Sequence, residues 1–410
     1  MNHGKVIGST LIVIGTSIGA GMLALPIISA AAGFVPAVLL LIAVWILMTF
    51  TGLLLLEATL QFKQYENNFS TMAKATLGIV GQVGAWISCL MLLYALTAAY
   101  IAGNTSLMVH LLQSVGIHSP NWVSSLLFTC VLGSAIFWSA STVDHCNRVL
   151  ISVKGILLTG SFVFMLPHVN MIHLLSCCSG HSSKYLLTAV TIFLCAFGFH
   201  NVVPSLVNYI GLEPKALRKI IITGTTITCG IYFLWLLVTL GIMPLYGENS
   251  FSMVVKTDGS VGLFIQTLCA LLHNKWLYYG INGFANIAMT TSFLGVALGL
   301  FDFLADGFHR SNTHFGRFQS ALLTFIPPLL FALFYPEGFI LALGYASVFV
   351  IVITILLPVL FVYQLRKRSA SPALYRVRGG SWILIGLVIL SVVFIGLQIL
   401  SNLHYLPVLK

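Results

Sequence analysis

Charge is what this chain most lacks. Only 7% of its 410 residues are Asp, Glu, Lys or Arg, where soluble domains carry about 25%. No gap between its apolar runs is long enough for a soluble domain of useful size. H-E-x-x-H and the Walker loop are both missing, so a zinc protease or an ATP-driven pump has no support. The eight cysteines show no C-x-x-C or metal spacing. Most lie in apolar runs, where Cys acts as a small hydrophobe. Cys177 and Cys178 fall in a loop and read as unpaired. Nothing here requires a metal or an organic cofactor.

What is present is hydrophobic: 59% of the residues. They gather in about eleven runs long enough for a membrane helix, which needs about 20 apolar residues. The runs cover 6–29, 34–59, 80–113, 122–140, 149–168, 184–209, 218–243, 275–304, 318–335, 338–362 and 381–401. The chain therefore reads as an all-α polytopic membrane protein, one transmembrane domain over 1–410. The stretch 261–272 is apolar but only about 12 residues long, which predicts a surface or re-entrant helix. Lys5 before the first run and Ser29-Ala30-Ala31 after it imitate a secretion signal. The run exceeds a signal's apolar region of about 7–15 residues, so a retained first helix is expected.

The formal charge of +10 does not point to nucleic acid, because the charges sit in short loops between spans. With the N-terminus in the cytoplasm, the inner loops hold Lys5, Lys63, Lys74, Arg148, Lys215, Arg218, Lys219, Arg310, Arg317, Arg366, Lys367, Arg368, Arg376 and Arg378. The outer ones hold Lys184, Lys256, Lys275 and Lys410. This bias, roughly 14 to 4, follows the positive-inside rule and supports both orientation and span count. An odd count puts the C-terminus outside. Lys154 is left inside a span.

Two spans carry their own breaks. Gly15-Thr16-Ser17-Ile18-Gly19-Ala20-Gly21 interrupts the first, and each glycine costs a helix roughly 1 kcal/mol relative to Ala. Phe197-Gly198-Phe199-His200-Asn201-Val202-Val203-Pro204-Ser205 interrupts the sixth, where Pro removes a helical hydrogen bond. Freed backbone at membrane depth must line a cavity or pack on protein. Paired broken helices in corresponding halves point to a transporter of inverted repeats. The repeats would be 6–168 and 184–362, with 381–401 peripheral.

Two other motif matches fail on context. Gly15-Thr16-Ser17-Ile18-Gly19 fits G-x-S-x-G, yet a nucleophile elbow needs a strand before it. Gly19-Ala20-Gly21-Met22-Leu23-Ala24 fits G-x-G-x-x-A, yet the next acid, Glu57, comes too late for a ribose contact.

Several residues are candidates for chemistry. A half-helix starting near Gly21 presents free N–H groups and a positive dipole end, suited to a substrate carboxylate; tight packing by small residues is the alternative. Lys154 either snorkels to the cytoplasmic surface or stands as a buried ammonium able to release its proton. Glu57 is an interfacial acid or a second coupling group. His200 is either a structural hydrogen-bonding group or a contact to substrate or proton. Thr291 and Ser292 either bond their own helix or complete an oxygen cage for sodium. Tyr94 and Tyr100 either pack or reach a substrate carboxylate.

The run Gly15 to Pro26 resembles the first-helix signature of the bacterial hydroxy and aromatic amino acid permease family. Phe197-Gly198-Phe199-His200 with Val203-Pro204-Ser205 is similar to its sixth-helix break. Thr291 to Asp306 is similar to its eighth helix, and Asn147 to His168 to its fifth. The resemblance implies an eleven-span inner-membrane protein with a LeuT-type core. It further implies proton-driven import of aromatic amino acids, tyrosine first. By position, the carboxylate would meet N–H groups at Gly19, Ala20 and Gly21. The ammonium would meet carbonyls near Thr16 and at Phe197, and Ser17 is taken as a further substrate-binding residue. Phe197, Phe199 and His200 would border the pocket, and Lys154 lies in the helix where some proton-driven relatives of this fold carry a lysine in place of sodium. From the residues themselves, Tyr94 is taken as a further substrate contact and Glu57, Thr291 and Ser292 as further coupling groups. The chain departs from the family pattern at Asn201 and Val202. A tryptophan or other neutral amino acid symporter, sodium coupling, and a non-pumping receptor or channel remain as alternatives. Oligomeric state is not readable; the expected partners are the substrate and membrane lipid.

Overall fold

The computed structural model describes residues 3–62, 69–138, 140–175, 182–272, 274–308, 313–368, 374–403 and 405–406. Lys63, Arg310, Lys410, Cys177 and Cys178 lie outside the described residues. Among the described residues all regular structure is helical. In chain order the helices are α1 (His3–Ser17), α2 (Gly21–Ser29), α3 (Phe34–Gln61), α4 (Phe69–Ser114), α5 (Asn121–Trp138) and α6 (Ala140–Met165). Then follow α7 (Met171–Leu175), α8 (Ser182–Ala196), α9 (Val203–Ile210), α10 (Pro214–Ile242), α11 (Phe251–Lys256) and α12 (Val261–Leu272). The last are α13 (Lys275–Gly307), α14 (His314–Phe334), α15 (Phe339–Ile351), α16 (Leu357–Arg368) and α17 (Ser381–Asn402).

Ten helical stretches among the described residues are long and apolar enough to cross a membrane, and α1 with α2 makes an eleventh as a pair bent by 50°. These coincide with the runs expected from sequence. The chain is a multi-pass membrane protein. The short apolar stretch is α12, and it packs against α4 and α13. Ser106 of α4 secures its start, with Oγ 2.9 Å from Ser260 Oγ and accepting from the Gly262 N–H at 3.0 Å.

Local signals set the helix ends. Asn274 Oδ1 accepts from the N–H groups of Trp276 and Leu277 at the start of α13, which satisfies two orphan donors. Thr313 Oγ1 does the same for Gly316 in α14. Gly78, at φ +73°, breaks the helical geometry inside α4, so the expected span near 80 begins just after this kink. Few side chains other than hydrogen accept that φ. Within spans, hydroxyls such as those of Thr59, Thr76, Thr239 and Thr324 donate to their own helix four residues back. That removes the cost of carrying a polar group in lipid or core.

The middle of the bundle is where the interrupted helices meet. α2 packs on α8, α1 on α10, and α13 on α4 and α6. Around them lies an aromatic core: Trp235 contacts Phe162, Phe264 and Phe284. Of the two breaks, the first turns the chain sharply. The second interrupts helix at Phe197–Phe199 and resumes through a 3-10 turn, His200–Val202, without a bend above 40°. Cys89, Cys130, Cys195, Cys229 and Cys269 are free thiols.

Candidate functional site

The first break lies between α1 and α2 at Ile18, Gly19 and Ala20. Gly19 N–H turns back onto the Ser17 carbonyl at 2.8 Å. A helix that stops leaves carbonyls with no partner from the next turn. Here side chains from distant helices supply them. Lys154 Nζ, from α6, donates to the Ile18 carbonyl at 2.7 Å and lies 3.4 Å from Thr291 Oγ1 of α13. Lys154 is 4% exposed. It does not snorkel; its charge is spent on the broken backbone. Thr291 Oγ1 in turn donates to the Ala288 carbonyl, leaving its lone pairs for the ammonium.

Ser292, the next residue of α13, covers the other side of the break. Its Oγ accepts from the Ala20 N–H at 3.2 Å, and the buried Tyr100 of α4 lies beside it. This closeness explains Gly19: a Cβ there would sit 2.6 Å from Ser292 Oγ. Gly21 is needed for a different approach. A Cβ on it would lie 3.3 Å from the Ala196 Cα, where α2 meets the end of α8. The two breaks are therefore in contact through backbone.

Tyr232 of α10 ties them together. Its Oη lies 2.6 Å from the Ser17 carbonyl and 2.7 Å from that of Ala196. A phenol has one proton, so one hydroxyl serves the open end of α1 and that of α8. Phe197 packs edge-on against the Tyr232 ring at 5.1 Å. The sequence reading missed Tyr232. The only signal was a lone hydroxyl-bearing aromatic in mid-span, in a chain with fourteen tyrosines.

The other expected residues fall in three places. Phe197, Phe199 and His200 are fully buried at the second break. Phe199 and His200 turn toward α3, where a Cβ on Gly52 would meet the Phe199 ring at 2.5 Å. His200 Nε2 lies 3.0 Å from Thr51 Oγ1, which already donates to the Met48 carbonyl. Among the described residues His200 Nδ1 is buried without a partner. Ser17 offers its carbonyl, while its hydroxyl bonds Val13.

Thr16, Tyr94 and Glu57 do not join this cluster. Thr16 is exposed and its hydroxyl donates to the Ile12 carbonyl. Tyr94 Oη donates to the Leu323 carbonyl of α14 at 2.8 Å, a packing role. Tyr100, six residues further along α4, is the one that lies beside Ser292. Glu57 is fully buried near the end of α3. It forms a two-toothed ion pair with Arg366 of α16, both N–O distances 2.7 Å, and accepts from the Val377 N–H at 2.7 Å.

A profile of the tryptophan/tyrosine permease family matches residues 2–398. The chain belongs to that family. Permeases are transporters rather than enzymes, and the interrupted, polar centre of an apolar bundle is what such a protein requires. Tyrosine-specific transport system 1 of Haemophilus influenzae is 39% identical over 405 residues, covering 98% of each chain. The tryptophan-specific transport protein of Shigella flexneri is 33% identical, covering 98% of this chain and 97% of its own. The tyrosine permease of Enterobacter agglomerans is 30% identical over 370 residues, or 88% of each. The profile match runs through both breaks and every span except the end of α17.

Proposed function

We propose that the protein is a secondary active transporter that imports aromatic amino acids, tyrosine first, together with a proton. The observation that carries the coupling is the Lys154 ammonium between the Ile18 carbonyl and Thr291 Oγ1. A carbonyl freed by a broken helix and a hydroxyl on a facing helix are oxygen ligands that suit a sodium ion. In this chain a side-chain cation uses both. A lysine can withdraw its charge by releasing a proton when water reaches it, which links site occupancy to proton movement. Tyrosine is favoured over tryptophan because the tyrosine-specific transport system 1 is 39% identical and the tryptophan-specific protein 33%.

The architecture that suits this work is a LeuT-type core of inverted repeats, 6–168 and 184–362, with 381–401 peripheral. The protein would sit in the bacterial inner membrane, N-terminus inside and C-terminus outside, as the loop charges favour. The substrate carboxylate would take the Ala20 N–H from Ser292 and add the N–H groups at the start of α2. The substrate ammonium would use the second lone pair of the Phe197 carbonyl, whose other donor is the Phe199 N–H. Phe197 would flank the ring. Alternating access would then expose this centre to each side in turn.

The test is uptake of labelled tyrosine by vesicles holding the purified protein, with an inward proton gradient and no sodium. Accumulation that a protonophore collapses is expected. Accumulation that requires sodium would overturn the coupling, and none with any aromatic amino acid would overturn the substrate class.

A further inference from the structure

α13 passes the broken-helix centre at Thr291 and Ser292, and its exposure changes there. At 3.6 residues per turn, the face that carries Ser292 continues through Ala288, Phe284 and Ile281 in one direction and through Gly295, Gly299 and Asp302 in the other. The first three are fully buried. The last three are exposed, and a Cβ on either glycine would meet nothing within 4 Å among the described residues. The same contrast runs through the second broken span. Before the break, Phe193 and Leu194 of α8 are fully buried. Beyond it, Asn201, Ser205 and Asn208 share a face and are exposed. Amides and a hydroxyl on a span are costly to turn toward lipid, so this face borders water. The centre is therefore covered on the side of Ile281 and uncovered on the side of Asp302, which the loop charges assign to the cytoplasm.

What covers it is aromatic. Tyr232 of α10 bonds a carbonyl at each break, and Trp235 lies one turn further out, about 4.5 Å of rise along the same helix. The Trp235 ring is fully buried; it meets Phe284, on the covered face of α13, at 5.9 Å and Phe264 of α12 at 6.3 Å. Among the described residues its indole N–H has no acceptor, a cost that water reaching the ring would remove. α12 is too short to cross the membrane and rests on α4. There Ser106 Oγ accepts from the Gly262 N–H at 3.0 Å and lies 2.9 Å from Ser260 Oγ. The fit is close, for a Cβ on Gly262 would run into the Ser106 carbonyl oxygen. α12 also packs against α2, the outer half of the first broken helix.

We infer that Trp235 and Phe264 form the outer seal of the broken-helix centre, that Ser106 latches α12 in the sealing position, and that this structure is the state open to the inner side alone. A substrate arriving from outside waits until α12 leaves Ser106 and carries Phe264 off Trp235. A substrate leaving for the cytoplasm passes the exposed faces of α9 and α13, where Gly295 and Gly299 leave room for a ring. The latch is made of hydrogen bonds between neutral groups, each of modest net worth, which suits a contact remade at every turnover. The inference rests on the transport reading above, which supplies a substrate that must enter.

The experiment joins α12 to α4 and asks whether transport stops. Hydroxyls as close as those of Ser106 and Ser260 put two cysteines within reach of a disulfide. The Ser106→Cys, Ser260→Cys double variant and each single variant are oxidised in vesicles, and labelled tyrosine uptake is measured before oxidation, after it, and after reduction. Uptake by the double variant should fall about tenfold or more on oxidation and return on reduction, while oxidation leaves each single variant as it was. Undiminished uptake by the joined protein overturns the seal. Failure of the two cysteines to join overturns the latch. If the double variant does not fold, Gly299→Cys decides alone. Without tyrosine, a membrane-impermeant maleimide should modify it in inside-out vesicles and not in right-side-out ones, beyond any labelling of the parent. Modification from the outer side, or from neither, overturns the inference. Absence of tyrosine uptake in the parent is a different failure, that of the transport reading itself.

Discussion

Lys154 Nζ lies 2.7 Å from the carbonyl oxygen of Ile18, a residue 136 positions away in the chain. One is a cation in the middle of a span; the other is a backbone group that lost its helical partner. Each compensates for the other. An unpaired ammonium inside a membrane span is costly, by several kcal/mol or about 2.5–3.5 kcal/mol on insertion scales. An unsatisfied carbonyl there costs about 1–3 kcal/mol.

Replacing Lys154 by Ala should abolish proton-driven accumulation while tyrosine binding persists. Lys154→Arg should not restore coupling, because a guanidinium does not release its proton. Uptake against a gradient and equilibrium binding by calorimetry separate the two. Unchanged accumulation in Lys154→Ala would remove Lys154 from the coupling role.

Tyr232→Phe keeps the ring that Phe197 packs against and removes the hydroxyl shared by Ser17 and Ala196. Two carbonyls at the helix breaks then lose a donor. The expected loss is about 1–3 kcal/mol of stability, read as a lower midpoint of thermal unfolding in detergent. A midpoint equal to the parent's would mean that the bridge contributes nothing.

Gly19→Ala should impair transport because its Cβ would sit 2.6 Å from Ser292 Oγ. The cause is one atom, so Ser292→Ala should relieve it. The Gly19→Ala, Ser292→Ala double variant is expected to recover stability relative to Gly19→Ala alone, a coupling of about 0.5–3 kcal/mol in a double-mutant cycle. Additive losses would place the strain elsewhere. No such rescue is expected for Gly21→Ala, where the opposing atom is the Ala196 Cα.

Glu57→Gln strands Arg366 against a neutral partner. Breaking a buried ion pair from one side costs about 3–5 kcal/mol. An exposed control, Lys74→Gln, should stay within about 0.5 kcal/mol. Thermal unfolding of the two variants checks this. The Glu57→Gln protein that remains folded should still couple tyrosine to protons, since among the described residues Glu57 bonds Arg366 and the Val377 backbone, away from the broken-helix centre. Loss of coupling with stability intact would transfer the role from Lys154 to Glu57.

The spans were legible because run length is a direct consequence of bilayer thickness, and the ten long stretches and the α1–α2 pair follow it. The first break was legible because Gly19 and Gly21 weaken a helix wherever it sits. The location of Lys154 inside a span was equally plain. Its reach to Ile18 was not, because that depends on how α6 crosses α1 and α13, which no local pattern encodes. The same holds for Glu57, whose partner is 309 residues away, and for Tyr232. Tyr94 and Tyr100 differ by six residues on one helix, so their roles are set by facing direction. Composition gives no hint that one meets Leu323 and the other Ser292. The second break was expected as an interruption of its span, and it is a short unwound segment at Phe197–Phe199, after which the 3-10 turn at His200–Val202 carries the helix onward.

The most direct test of the account is proton movement driven by the substrate itself. Vesicles holding the protein and an internal pH dye would receive external tyrosine with no proton gradient and no sodium. The account predicts internal acidification that follows tyrosine entry in the unmodified protein and is absent in Lys154→Ala, although that variant still exchanges labelled tyrosine. Tyrosine entry without acidification in the unmodified protein, or acidification that survives Lys154→Ala, would contradict it.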